Sequence, residues 1–125
     1  MRVLLTEDIE IARKVASLVL SSIGCDIDVA RNGQAAIDAV QKKEYDLIFM
    51  DLGLPDMRGE LAATRIRTHL GPNTAVRIVA LTAHASEGLN SDRLFDLVLE
   101  KPLTKAGLFK MLKALELDHF LQNQA

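Results

Sequence analysis

Short apolar runs divide the chain at regular intervals. Four of them are Val3-Leu4-Leu5, Leu47-Ile48-Phe49-Met50, Ile78-Val79-Ala80-Leu81 and Leu97-Val98-Leu99. Runs of this length bounded by polar residues predict strands buried in a parallel sheet. Ile27-Asp28-Val29-Ala30 is less apolar, and we predict a fifth strand there.

Apolar residues recur at helical spacing between these runs. Four intervals have this pattern: 9–23, 33–40, 59–70 and 104–115. A glycine follows the first and begins the second and third, and a threonine that can cap a helix begins the fourth. From His84 to Asp96, three poor helix formers, Gly88, Asn90 and Ser91, predict only a short or frayed helix. Alternating strands and helices predict an α/β domain with a parallel sheet covered on both faces.

Residues with charged or hydroxyl side chains follow the apolar runs of four predicted strands. Asp51 comes directly after the Leu47 run and precedes Leu52-Gly53-Leu54-Pro55. The carboxyl ends of neighbouring parallel strands meet at one edge of a sheet, which is where ligands bind in such folds. The other residues in this position are Glu7, Asp8, Thr82 and Lys101.

These residue types suit a phosphoryl site. Clustered carboxylates repel one another unless a hard cation such as Mg²⁺ lies between them. A lysine and a threonine can bind phosphoryl oxygens through an ammonium group and a hydroxyl group. Each residue also has a purely structural interpretation: turn aspartate for Asp51, acids at a helix start for Glu7 and Asp8, helix cap for Thr82, and surface lysine for Lys101.

With these motifs in this order, residues 1 to about 115 resemble a response-regulator receiver domain. The matching residues are Glu7-Asp8, Asp51-x-x-x-Pro55-x-x-x-Gly59, Thr82-Ala83 and Lys101-Pro102. The resemblance implies a flavodoxin-like (βα)5 fold with strand order 2-1-3-4-5, and a cis Lys101-Pro102 bond. Residues 116–125 then form a helix end or a linker stub.

By this resemblance, Asp51 is the phosphoryl acceptor. Mg²⁺ is bound by Glu7, Asp8, Asp51 and the backbone carbonyl of Gly53, while Thr82 and Lys101 hold the phosphoryl oxygens. The implied partners are a sensor histidine kinase and a histidine phosphotransfer domain. The chain would catalyse its own phosphorylation and dephosphorylation, which leaves open whether it should be classed as an enzyme.

Two departures from the family bear on the type of receiver. The segment between Thr82 and Lys101 is shorter than receivers usually have, and Val98 stands where many receivers with an output domain carry Tyr or Phe. A small aliphatic residue there, followed by Leu99 and the Lys-Pro pair, resembles the receivers of hybrid sensor kinases and favours a phosphorelay. Packing in the strand interior is, however, the usual explanation for a β-branched residue such as Val98.

Composition is consistent with one small domain. The 125 residues are 49% hydrophobic, and the formal net charge of -2 gives no general attraction to nucleic acid or acidic membranes. We expect neither nucleic-acid binding nor membrane insertion, and a cytoplasmic location. Cys25, the only cysteine, is expected to be a small buried hydrophobic residue.

A second function class remains open beside the phosphoacceptor. The chain could be a receiver-like interaction module that docks a partner without phosphate turnover, which the short segment before Lys101 favours. A Mg²⁺-dependent phosphohydrolase with an Asp nucleophile fits less well, because such enzymes need a second acid where Gly53 lies.

Overall fold

The computed structural model describes residues 1–69, 75–84 and 94–123. Five strands form one sheet, and all of its neighbouring strands are parallel. Their order is β2-β1-β3-β4-β5, so the predicted fold class and strand order are confirmed. The strands are β1 (Arg2–Thr6), β2 (Asp26–Ala30), β3 (Leu47–Asp51), β4 (Arg77–Thr82) and β5 (Leu97–Glu100).

Four α-helices lie in the described part of the chain, followed by a 3-10 helix over Asp118–Asn123. The short helix predicted between His84 and Asp96 falls largely on residues outside the described ranges. No helix in those ranges is long and apolar enough to cross a bilayer. The α-helices are α1 (Glu10–Ser21), α2 (Gly33–Lys42), α3 (Gly59–Thr68) and α4 (Lys105–Ala114).

The sheet separates two hydrophobic cores because successive side chains on a strand point to opposite faces. Ile48 of β3 belongs to the core beneath α2 and α3. Its neighbour Phe49 belongs to the core beneath α1 and α4, and both residues are fully buried. Cys25 is only partly buried at the edge of this second core. A central strand buried on both faces explains why β3 appears in the sequence as an uninterrupted apolar run.

The residues at three helix ends have the conformation or the capping hydrogen bond that is typical of their residue type. Gly24 has a φ of 81° in the turn after α1, a conformation that favours glycine. Asn32 and Thr104 precede α2 and α4, and their side chains accept hydrogen bonds from the amides of Ala35 and Gly107. These turns and caps fix where each helix begins, and with it the loops that connect the helices to the strand ends.

Candidate metal and phosphoryl site

The sheet brings the four predicted strand ends to one edge. β1, β3, β4 and β5 are consecutive neighbours, with Thr6 opposite Met50, Asp51 opposite Leu81, and Thr82 opposite Glu100. Glu7 and Asp8 therefore leave β1 beside the end of β3, and Lys101 leaves β5 beside the end of β4. This register results from the apolar pattern, because a shift of one residue would turn buried side chains toward the opposite face.

Three carboxylates converge at this edge. One oxygen atom from each of Glu7, Asp8 and Asp51 lies within 4.8 Å of the other two. Glu7 and Asp51 are only 2% and 4% exposed. Concentrating this much negative charge away from water is costly unless a cation compensates for it.

The donor set fits a hard divalent cation. Carboxylate oxygens are the ligands that Mg²⁺ prefers, with water completing its coordination. The Oδ1 atom of Asp8 is buried and has no hydrogen-bond partner in the structure. Buried polar atoms normally have a partner, so this oxygen is available to an ion.

Lys101 joins two of the acids. Its Nζ lies 2.6 Å from Oε1 of Glu7 and 3.0 Å from Oδ2 of Asp51. Burial lowers the pKa of Lys101, but its hydrogen bonds with Glu7 and Asp51 outweigh this effect and raise the pKa above its ordinary value. The Lys101 ammonium is therefore held as a fixed positive charge beside Asp51. The peptide bond from Lys101 to Pro102 is cis, as the family resemblance predicted.

The pKa values of the two buried acids shift in opposite directions. Burial raises the pKa of Glu7 to about 7, and its hydrogen bond with Asp51 acts in the same direction. Burial also raises the pKa of Asp51, but hydrogen bonds from Glu7, the Gly53 amide and Lys101 outweigh it and hold that pKa below its usual range. Asp51 is therefore ionised at neutral pH, as a carboxylate nucleophile must be.

The loop after β3 also contributes to the site. The amide of Gly53 donates a hydrogen bond to Oδ1 of Asp51 at 3.1 Å. The carbonyl of the same residue was the predicted backbone ligand for Mg²⁺. This residue therefore couples the orientation of Asp51 to the conformation of the loop.

Thr82 ends β4 at the same sheet edge. Its hydroxyl donates a hydrogen bond to the carbonyl of His84 and accepts one from the amide of the same residue, both at 3.3 Å, so it stabilises the turn after the strand. These contacts support the structural interpretation of Thr82. To bind a phosphoryl oxygen, the hydroxyl would donate to it in place of the His84 carbonyl.

The sequence analysis missed Arg13. Its Nη1 atom donates hydrogen bonds to the backbone carbonyls of Glu7 and Asp8, at 3.2 and 3.3 Å. An arginine one turn inside α1 can reach the preceding loop, but nothing in the apolar pattern distinguishes it from the neighbouring Lys14. Arg13 fixes the backbone that presents the two acids.

The fold is a doubly wound parallel sheet with three clustered carboxylates at its carboxyl edge, and sequence comparison gives the family. Residues 3–113 match the model of the response regulator receiver domain. The chain belongs to this family.

The relatives include hybrid signal transduction histidine kinase F of Dictyostelium discoideum, 36% identical over 118 residues that cover 90% of this chain and 11% of the relative. Over 122 residues the chain is 41% identical to the aerobic respiration control sensor protein ArcB of Escherichia coli, an alignment that covers 90% of this chain and 15% of ArcB. The chain therefore spans only a small part of such relatives.

Solved receiver structures have the same fold. One is the receiver domain of sensor histidine kinase PA1611 from Pseudomonas aeruginosa, with a magnesium ion coordinated in its active-site cleft. It superposes with a TM-score of 0.81 at 28% identity, over 98% of both chains. A CheY-like receiver from Methylobacillus flagellatus gives a TM-score of 0.83 at 28% identity, over 92% of this chain and 98% of the other.

Proposed function

We propose that this receiver accepts a phosphoryl group on Asp51 from a histidine of a sensor kinase, and passes it to a histidine phosphotransfer partner or to water. The observation that carries the proposal is the ammonium of Lys101, which lies 3.0 Å from Oδ2 of Asp51, within the cluster of carboxylates that Asp51 forms with Glu7 and Asp8. This geometry pairs an ionised nucleophile with a fixed positive charge.

The transfer itself is a substitution at phosphorus. A carboxylate oxygen of Asp51 forms a bond to phosphorus while the bond from phosphorus to the histidine nitrogen breaks, and the electron pair of that bond remains on the imidazole. No general base is needed, because the carboxylate is already ionised. Lys101 neutralises charge on the phosphoryl oxygens, and the Thr82 hydroxyl donates a hydrogen bond to one of them.

Mg²⁺ is the proposed cofactor. Glu7, Asp8, Asp51 and the Gly53 carbonyl would hold it, and it would supply charge neutralisation at the phosphoryl group. The unpartnered Oδ1 of Asp8 and the magnesium ion in the PA1611 receiver support this assignment.

The proposal also concerns the type of protein that contains this domain, its partner and its cellular location. Similarity to ArcB supports an origin in a hybrid sensor kinase, with a histidine phosphotransfer domain as the next acceptor. A cytoplasmic location follows from this proposed role, because kinase and receiver must share ATP-derived phosphate in one compartment.

Intact-mass measurement after incubation with Mg²⁺ and acetyl phosphate tests the proposal. We expect one phosphoryl increment that requires Mg²⁺ and is absent in Asp51→Asn, a variant that keeps the shape of the side chain. If wild-type protein that binds Mg²⁺ gains no increment, the phosphoacceptor role is wrong, and a docking module without phosphate turnover becomes the better description.

A further inference from the structure

Asp56, an acid in the loop after β3, accepts hydrogen bonds from the start of α2. Its Oδ1 accepts a hydrogen bond from the amide of Gly33 at 2.8 Å, and its Oδ2 accepts one from the amide of Gln34 at 2.9 Å. Asp56 is 23 residues from Gly33 and 22 residues from Gln34 in the sequence. A bidentate contact of this kind fixes both the position and the direction of the loop.

The contact satisfies amides that the helix leaves free. The first amides of an α-helix have no partner within the helix. Asn32 satisfies only the amide of Ala35, and Asp56 supplies acceptors for the two amides before it. Burial raises the pKa of Asp56, but the hydrogen bonds from Gln34, Gly33 and its own loop outweigh this effect and lower the pKa below its ordinary value. Asp56 is accordingly ionised at neutral pH.

Packing reinforces the polar contact. A Cβ atom on Gly33 would lie 2.5 Å from Cγ and 2.7 Å from Sδ of Met57, so the Met57 side chain lies directly against the helix backbone. The loop is also held at both of its ends. The Gly53 amide bonds Asp51 at 3.1 Å, and the Gly59 amide bonds the Leu52 carbonyl at 3.2 Å.

We propose that Asp56 is a positioning residue for the metal and phosphoryl site. By fixing the middle of the 52–58 loop on α2, it places Gly53, whose amide orients Asp51. The role of the Gly53 carbonyl as an ion ligand rests on the proposed function. Without this anchor, the loop would have to be ordered when the ion binds, and the entropy lost would reduce affinity.

Two alanine variants at the same helix end separate positioning from helix stability. Asp56→Ala removes the bonds between loop and helix. Asn32→Ala removes a capping bond within the helix start and leaves the loop contact in place. Mg²⁺ affinity is measured by calorimetry at a temperature where both variants are folded, and hydrogen exchange of the Gly53 amide is followed by NMR.

We expect Asp56→Ala to weaken Mg²⁺ binding about tenfold and to speed exchange of the Gly53 amide. Asn32→Ala should keep the affinity within about twofold. Asp56→Asn retains one carbonyl oxygen as an acceptor, so it should restore part of the affinity and serves as the test variant if the alanine form does not fold.

Wild-type Mg²⁺ affinity and Gly53 exchange in the Asp56 variants would overturn the proposal, as would an equal loss of affinity in Asn32→Ala. Acetyl phosphate labelling separates this inference from the proposed function. If wild type binds Mg²⁺ but takes no phosphoryl group, the proposed function fails while the titrations still decide the role of Asp56. If wild type binds no Mg²⁺, Gly53 exchange alone decides it.

Discussion

The backbone of Gly59 lies directly against that of Asp51. A Cβ atom on Gly59 would be 2.4 Å from the carbonyl oxygen of Asp51 and 2.9 Å from Cα of Leu52, which are backbone atoms that cannot rotate away. The first residue of α3 is therefore in contact with the end of the strand that carries the proposed acceptor.

We predict that Gly59→Ala destabilises the domain by about 1–3 kcal/mol, because overpacking against backbone forces the loop or the strand end to move. Gly53→Ala is the matched control. Its Cβ would meet only Oδ1 of Asp51, at 3.9 Å, so we expect a change within about 0.5 kcal/mol. Urea unfolding of both variants measures the difference, and equal stabilities would contradict the close approach at Gly59.

Lys101→Met should separate phosphorylation from metal binding. Loss of the ammonium 3.0 Å from Asp51 removes charge neutralisation from the phosphoryl group, and we expect labelling by acetyl phosphate to slow by about 10²-fold or more. Mg²⁺ affinity should be retained or increased, because the same ammonium repels the ion. Calorimetry and labelling rates on one preparation test this split. A variant that loses Mg²⁺ binding would show that Lys101 acts by holding the acids in place.

The effect of Asp8→Asn on thermal stability should depend on whether Mg²⁺ is present. In metal-free buffer the substitution removes one of three clustered negative charges, so we expect the melting temperature to stay the same or to rise. Added Mg²⁺ should stabilise wild type by linkage and should stabilise the variant much less. Thermal melts over a Mg²⁺ series supply the measurement. Equal stabilisation of both proteins would remove Asp8 from the ligand set.

Away from the site, the hydrogen bond between Tyr45 and Asp28 should make the stability of the domain depend on pH. The Tyr45 hydroxyl donates a hydrogen bond to Oδ2 of Asp28 at 2.7 Å. This bond, and after it the bond from Lys43, holds the pKa of Asp28 below its ordinary value of 3.8. A depressed pKa means that the stabilisation is present above pH 3.8 and is lost as pH falls through the lower folded-state pKa.

Tyr45→Phe should therefore cost about 1 kcal/mol at neutral pH, a value reduced from that of a buried charged hydrogen bond because Asp28 is partly exposed. The difference from wild type should shrink as pH falls below 3.8. Denaturant unfolding of the two proteins from pH 7 down to the acid limit of folding provides the comparison. A difference that did not vary with pH would mean that Tyr45 stabilises through packing alone.

The sequence predicts the fold well because two different periodicities alternate along it. Buried parallel strands such as β3 are short apolar runs, and a residue that directly follows such a run, as Asp51 does, must lie at the sheet edge. The positions of Glu7 and Lys101 follow by the same reasoning once the strands are parallel neighbours.

The remaining features depend on contacts that have no periodic signature. The hydrogen bonds of Asp56 to the start of α2 join residues more than twenty positions apart, and those of Arg13 depend on the rotamer of a long side chain. The link from Lys101 to Glu7 as well as to Asp51 is a matter of side-chain packing. The short helix predicted over 84–96 remains a prediction, because most of that interval is outside the described residues.

Identification of the modified residue tests the central claim most directly. An aspartyl phosphate is reduced by borohydride to homoserine, which marks the acceptor in a peptide map. After incubation with Mg²⁺ and acetyl phosphate, we predict homoserine at position 51 and at no other aspartate, with none formed when Mg²⁺ is omitted. Homoserine at a different position, or its complete absence from protein that binds Mg²⁺, would contradict the assignment of Asp51 as the phosphoryl acceptor.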